Sequence, residues 1–270
     1  MSKLIGVYIA EKLDGKRYFR ASITHKSKHI SLGSFELQSA AHKAYLEADA
    51  ILNGNQYNIK DYSSILKLSF EKWIVLHNYR DNGIYIKNPI YLRSRYFTYY
   101  LDFDTELTFD VDDLFYYSTH KIMRRDGYFF VNDYGMQINI RSRYGIRNFS
   151  VVGRDYLFID NNPHNFRYDN IKIINQYLGV QKGMYENVTK YTAKIHINGD
   201  YVIGRYKTED LAAIAYNKAV DTLLANGINK NYTKNYLENL NSEQYLELYN
   251  RIRISRKIRD FNNNAPKSLK

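Results

Sequence analysis

Between Asp160 and Lys172 the chain reads DNNPHNFRYDNIK, a short run dense in carboxylates, amides and one imidazole. Side chains of these types serve metal-assisted hydrolysis of a phosphodiester, which needs a base to activate water, a metal to stabilise the leaving oxygen, and lone pairs to hold that metal. The same types also build turns. Asp160-Asn161-Asn162 followed by Asn165 reads as a turn between a strand and a helix starting near Arg167, with Asp169 and Asn170 in or beside the first helical turn as structural hydrogen-bonding groups. The seven histidines, His25, His29, His42, His77, His120, His164 and His196, show no metal-ligand spacing and read as surface or capping residues. A second acidic group, Asp102, Asp104, Glu106, Asp110, Asp112 and Asp113, lies in a strand-loop region. Its alternation points these carboxylates away from the apolar face, so they are expected to be exposed.

The flanking elements are clearer. From Leu4 to Asn53 the pattern is three short strands and a helix. Gly6-Val7-Tyr8-Ile9 alternates, Asp14-Gly15 signals a hairpin, Phe19, Ala21 and Ile23 share one face of a second strand, and a third runs from His29 to Phe35. Leu37, Ala40, Ala41, Ala44, Tyr45, Ala48, Ile51 and Leu52 then fall on one helical stripe that stops at Asn53-Gly54. The helix covers one sheet face and leaves the other free. The arrangement returns near the C-terminus: Gly179-Val180 matches Gly6-Val7, Tyr191 to Ile195 matches Phe19 to Ile23, Ile203 to Tyr206 matches Leu32 to Phe35, and Leu211, Ala212, Ala215, Tyr216 and Ala219 repeat the alanine ladder up to Asn226-Gly227. Such detail marks an internal repeat.

At these residues both segments resemble the ethylene-response-factor type of DNA-binding domain, a three-stranded sheet backed by one helix. The resemblance implies that the free sheet face lies in the major groove, which admits β-structure and whose edges distinguish all four base pairs. The groove-facing residues would be Tyr8, Arg20, Ser22, Thr24, His29 and Ser31 in the first copy, and Gln181, Thr192, Lys194, His196 and Val202 in the second.

The central run Asn161 to Lys172 resembles the closing half of an HNH nuclease motif of the homing-endonuclease kind, and Ile90 to Ile140 resembles the strand pairs that precede it in nucleases carrying the same sheet module. In that family a pair of residues ending in histidine stands just before the run, one His as general base and a neighbour helping to hold a divalent metal. Leu157 and Phe158 occupy those places, Ile140-Arg141 stands where a His-Arg pair is usual, and Phe166 replaces the central Asn, while Asn165 and Asp169-Asn170 are kept. The resemblance therefore implies a nuclease scaffold without catalytic or metal-binding residues. Arg141, Arg143, Arg147 and Arg154 form a basic strip suited to phosphates, and Arg167, Tyr168 and Lys172 are placed to press on DNA backbone.

Composition agrees with a polyanionic partner. The chain of 270 residues carries a formal charge of +11, spread along its length. No run of about 18 apolar residues and no signal-peptide pattern is present, so no membrane partner is expected. The absence of cysteine excludes a disulfide framework and Cys-containing zinc sites. Tyr62 to Asp81 is expected to be a helix or strand packing the linker around Trp73, and Tyr245 to Arg259 an amphipathic helix bearing Arg251, Arg253, Arg256, Lys257 and Arg259, whose basic face either is solvated or, through Arg251 and Arg253, contacts DNA backbone.

The fold expected is α+β: a sheet-plus-helix module over residues 1–60, an HNH-like domain containing a ββα unit over 61–175, a second module over 176–240, and a basic helix and tail over 241–270. The function expected is sequence-specific binding of double-stranded DNA by a regulator derived from a homing nuclease, with no cofactor and no metal. The location expected is the cytoplasm of a bacterial or phage-infected cell, or the nucleus of a eukaryote. A working metal-dependent HNH endonuclease and an RNA-binding protein are the alternatives, and a homodimer is left open.

Overall fold

The strand from Arg17 to His25 must bury Ala21 and Ile23 while Arg20 and Thr24 stay wet, and a sheet with one covered face is the solution the chain adopts. The computed structural model describes residues 4–261. Strands β1 (Val7–Glu11), β2 (Arg17–His25) and β3 (Lys28–Phe35) form an antiparallel sheet in sequential order, and helix α1 (Gln38–Leu52) lays Ala41, Ala44 and Ala48 on it. With only methyl groups along this stripe the helix approaches closely. Helix α2 (Phe70–Asn82) is capped by the Ser69 hydroxyl, which accepts from the Lys72 N–H.

Sequence leaves Tyr62 to Asp81 open between helix and strand; the segment is helical from Phe70 onward. It belongs to the core of the first module, where Trp73, Ile74 and Leu76 pack with Ile51 and Leu52, and the Trp73 indole donates to the Ile59 carbonyl at 3.1 Å. Glu47 of α1 accepts the backbone N–H groups of Lys67 and Leu68, which fixes the connection.

Next come β4 (Ile90–Leu92), β5 (Tyr96–Tyr100) and β6 (Glu106–Asp110) in one antiparallel sheet, helix α3 (Leu114–Thr119), and β7 (Ile122–Arg125), β8 (Tyr128–Asp133) and β9 (Met136–Asn139) in another. An aromatic core joins them. Phe109 meets Tyr117 at 4.3 Å and Phe166 at 5.6 Å between ring centroids, and Phe166 meets Tyr144 at 5.5 Å. Phe166 is a fully buried core plug.

Strands β10 (Tyr156–Phe158) and β11 (Ile171–Ile173) form a two-stranded pair. The helix expected from Arg167 is absent: Tyr168–Asn170 makes a single 3-10 turn and the chain continues directly into β11. The reason is local. Asn170 is buried, and its side chain bonds the Asp160 N–H and the Asn165 carbonyl, closing the turn on itself instead of capping a helix. The ββα unit is therefore not formed there.

Strands β12 (Val180–Tyr185), β13 (Val188–His196) and β14 (Asp200–Tyr206) make the last three-stranded sheet, covered by helix α4 (Glu209–Ala225) through Ala212, Ala215 and Ala219. The single C-terminal helix expected over Tyr245 to Arg259 is two, α5 (Ser242–Arg251) and α6 (Arg256–Arg259). Between them Ile252 turns extended, Ile254 buries in the core of this module, and the Ser255 N–H donates to the Ile203 carbonyl at 2.9 Å. Arg251 and Arg253 consequently do not share one helical face with Arg256, Lys257 and Arg259. The chain divides into two compact units, 1–145 with 160–171, and 146–159 with 172–270, so the cut falls inside the segment 61–175 expected as one domain.

The two sheet-plus-helix segments repeat down to the ladder. Val7 faces Ala21 and Val180 faces Ala193; Ala21 faces Gly33 and Ala193 faces Gly204. Each third strand then inserts one extra residue, Leu32 or Ile203, and both are buried. In each copy the central-strand residue just past the bulge donates its N–H to the glycine that precedes the first strand, Ser22 to the Gly6 carbonyl at 3.0 Å and Lys194 to the Gly179 carbonyl at 2.7 Å. Gly6 and Gly179 hold φ of 75° and 72°, and a Cβ on either would run into the ring of Tyr45 or Tyr216.

Candidate nucleic-acid interface

The ladder sorts the free faces into rows. In the first sheet Tyr8, Arg20 and Ser34 form one row across the three strands, Ser22 faces Ser31, and Thr24 faces His29. Tyr8 is 56% exposed, and Arg20, Thr24, His29 and Ser31 are exposed as well. The Arg20 guanidinium donates to the Tyr18 hydroxyl at 2.7 Å, and the Thr24 hydroxyl lies 3.4 Å from His29 Nδ1. Ser22 departs from expectation. It is only 7% exposed, because its small side chain sits mid-face on the central strand between the longer Arg20 and Thr24.

In the second sheet the rows are Gln181, Thr192 and Arg205; Lys194 and Val202; His196 and Asp200. Thr192, expected on the free face, is only 3% exposed: the Tyr185 hydroxyl lies 3.1 Å from its Oγ1 and covers it. Arg205 stacks its guanidinium 4.5 Å from the centre of the Tyr185 ring. The hydrogen bond with Thr192 and the nearby Arg205 hold the Tyr185 hydroxyl below its ordinary pKa. His196 Nδ1 lies 2.8 Å from the Asp200 carboxylate.

Arg147 and Arg154 join this second face. A cleft of about 240 Å³ is lined by both arginines together with Gln181, Lys194 and His196. Burial lowers the pKa of Arg147, which donates to the Asn175 carbonyl at 3.2 Å. Arg154 is held in its charged form chiefly by hydrogen bonds to Asp155, its Nη2 lying 2.7 Å from Oδ2.

The expected strip of four arginines is not continuous in one unit. Arg141 and Arg143 lie in the 3-10 turn Ile140–Tyr144 of the first unit, and Arg147 and Arg154 belong to the second. Arg141 sits 5.9 Å from the Tyr128 ring centre. Arg143 is committed inward, with Nε 2.7 Å from the Asp113 carboxylate. That carboxylate was expected to be exposed with the rest of its cluster, yet Asp113 is 1% exposed and also accepts from the Tyr144 and Tyr168 hydroxyls at 2.7 and 3.3 Å. Strand alternation failed here because Asp113 has left β6 and lies in a 3-10 turn, whose side chains follow a different period. Asp110 is likewise engaged, bonding the Arg167 guanidinium at 3.1 Å and the Tyr168 N–H at 2.7 Å. Arg167, tied also to Asp169, is a structural cation more than a free one. Lys172 is exposed on β11, Arg251 pairs with Glu247 at 2.8 Å, and Arg253 is exposed beyond α5.

The central run does form the turn expected of it. The Asp160 carboxylate accepts the Asn162 N–H at 2.8 Å and the Asn165 amide at 2.7 Å, and Asn162 Oδ1 accepts the His164 N–H at 3.0 Å. Those bonds, the Asn165 amide foremost, hold Asp160 below the usual carboxylate range. Phe166 donates to the Thr108 carbonyl and the His164 carbonyl accepts from Thr108, which zips the run to β6. Leu157 and Phe158 lie in β10, Phe158 buried. Among the described residues no group of three or more His, Cys, Asp or Glu side chains gathers closely enough to hold a metal ion, and no helix is long and apolar enough to cross a membrane.

Sequence reasoning missed Tyr18, Ser34, Lys190 and Arg205 on the free faces. The repeat itself carried the signal for Arg205, which takes the place of Ser34 once Leu32 to Phe35 and Ile203 to Tyr206 are matched. Compared with family models, curated proteins and solved structures, the chain matches none.

Proposed function

We propose that this chain is a sequence-specific double-stranded DNA-binding protein, acting as a regulator, that docks the free faces of its two three-stranded sheets in the major groove. One observation carries the reading: two sheets with the same register, the same bulge and the same backing helix each leave one polar, cation-bearing face uncovered. The major groove admits β-structure, and arginine, serine, threonine and glutamine are the side chains that read its base edges. Two faces on one chain also raise the effective concentration at the second site to roughly the mM range when both are within reach.

The resemblance of Asn161 to Lys172 to an HNH motif makes descent from a homing nuclease part of the proposal, without strand cleavage. The alternative, an active endonuclease, would need the retained side chains of Asn165, Asp169 and Asn170, and these are already engaged: Asn165 with Asp160, Asp169 with Arg167, and Asn170 with the Asp160 N–H and the Asn165 carbonyl. Leu157 and Phe158 supply neither a base nor a ligand.

A salt titration tests the reading. Fluorescence anisotropy of a labelled duplex should show affinity falling by about 10³-fold or more between about 50 and 200 mM salt, as several phosphate contacts require. Salt-independent binding, or none at low salt, contradicts it.

A further inference from the structure

The turn Arg147 to Ser150 is built at odds with its sequence. The Ser150 N–H closes it onto the Arg147 carbonyl at 3.1 Å, and its third residue, Phe149, holds φ of 67°. That position calls for glycine or asparagine, and a bulky residue there strains the backbone. The ring gains no burial in exchange, since Phe149 is 94% exposed. A strained backbone that presents a large apolar ring to water is the kind of outlier from which function is argued.

The surroundings are cationic and shaped. Phe149 lines the cleft of about 240 Å³ that also holds Arg147, Arg154 and Lys194. This volume lies below the range of about 300–1,000 Å³ typical of drug-sized ligands, which suits a single small group. Two carboxylates reach the same cleft, and both are engaged: Asp155 by Arg154, Asn175 and the Val151 N–H, and Asp200 by His196. Arg147 and Lys194 have no carboxylate within ion-pair distance among the described residues, although Asp155 and Glu209 lie near enough to Arg147 to favour its charged form. Arg147 is also partly desolvated, with one guanidinium bond to a neutral carbonyl. The cleft is thus short of an anion. It shares Gln181, Lys194 and His196 with the free sheet face, so a duplex lying on that face meets the turn at its edge.

Resting on the DNA-binding reading above, we propose that the Arg147 to Ser150 turn is a DNA-deforming wedge: the cleft seats a strand phosphate against Arg147 and Lys194, and the Phe149 ring enters the neighbouring base step. Apolar side chains inserted between bases unstack the step, and those that minor-groove proteins insert kink the duplex by about 20–90°. The phosphate supplies the missing anion, and the ring gains the burial that the protein alone does not give it. The sequence read at that step would then be set by how easily it unstacks.

The test uses the full chain and a duplex it binds, carrying 2-aminopurine at successive positions, with end-labelled duplexes reporting the bend. The parent should raise 2-aminopurine fluorescence at one step and shorten the end-to-end distance. Phe149→Ala should abolish both and weaken binding about tenfold, the size of a lost aromatic contact with a base, with the salt slope unchanged. Phe149→Trp should restore both. Arg147→Gln should lower the salt slope by about one. Unstacking that persists in Phe149→Ala, or a parent that unstacks no position, overturns the wedge. Saturable binding of inorganic phosphate with no change in bound DNA would mark the cleft as a site for free anions and overturn it too. The outcomes separate the two readings: duplex binding that is weakened in Arg20→Ala but indifferent to Phe149 removes the wedge and leaves the sheet faces standing, whereas a parent that binds no duplex removes both.

Discussion

Arg205 stands directly across the ladder from Thr192, in the row that Arg20 and Ser34 occupy in the first sheet. The arginine has moved one strand over between the two copies. Each free face therefore keeps one guanidinium in the same row, although a comparison of the central strands alone shows Arg20 replaced by Thr192.

This arrangement predicts paired effects. Arg20→Ala and Arg205→Ala should each weaken binding by about 1–3 kcal/mol on the selected sequence, and each should relax the preference at one position of its own half-site. Thr192→Ala should change little at the DNA, being covered by Tyr185. Anisotropy titrations on a set of single-base variants measure this. An equal loss on every sequence would make the arginines phosphate contacts instead.

The glycines that open each module make a stability prediction. Gly6→Ala puts an L side chain at φ 75° and a Cβ into the Tyr45 ring, and Gly179→Ala does the same against Tyr216 and the Lys194 carbonyl. The left-handed backbone alone costs about 1–3 kcal/mol, and the clash adds to it. Urea unfolding should show each variant destabilised by at least that amount. A change within about 0.5 kcal/mol, the range of an ordinary surface substitution, would contradict the bulged register.

A third prediction concerns acid. Burial pushes the Asp155 carboxyl up, but hydrogen bonds from Arg154, the Val151 N–H and Asn175 outweigh it and leave the group below its ordinary pKa. Its contribution is then complete above the unfolded value, about 3.9, and is lost as pH falls through the lower folded value. Thermal unfolding of the parent should therefore lose stability below about pH 4, whereas Asp155→Asn should start lower at neutral pH and show a shallower decline. Parallel curves for the two proteins would remove Asp155 from the account.

The sheet modules were legible because their signals are short-range: alternation in Phe19 to Ile23, the alanine stripe of α1, the Asp14-Gly15 turn, and a repeat that reports twice on each feature. What escaped was set by neighbours distant in sequence. Nothing near Ile252 marks a break, because it is the fit of Ile254 into the core of the second module that draws the chain out of helix. Nothing near Asp113 announces burial, because its partners Arg143, Tyr144 and Tyr168 arrive 30 residues later and beyond. The central run was legible as a turn from its own Asp and Asn spacing, but the direction of the chain after it was not, since Asn170 closes backward onto Asp160.

The measurement closest to the central claim is selection from a pool of random duplexes by the full chain, at physiological salt with Mg²⁺ or Mn²⁺ present, scoring enriched sequences and the integrity of their ends together. Enrichment of a sequence with two short constant blocks, one for each sheet face, is expected on strands whose ends are intact. Bound DNA with no enriched sequence would contradict recognition by the sheet faces, and ends cut at a fixed offset from an enriched sequence would contradict the loss of nuclease activity.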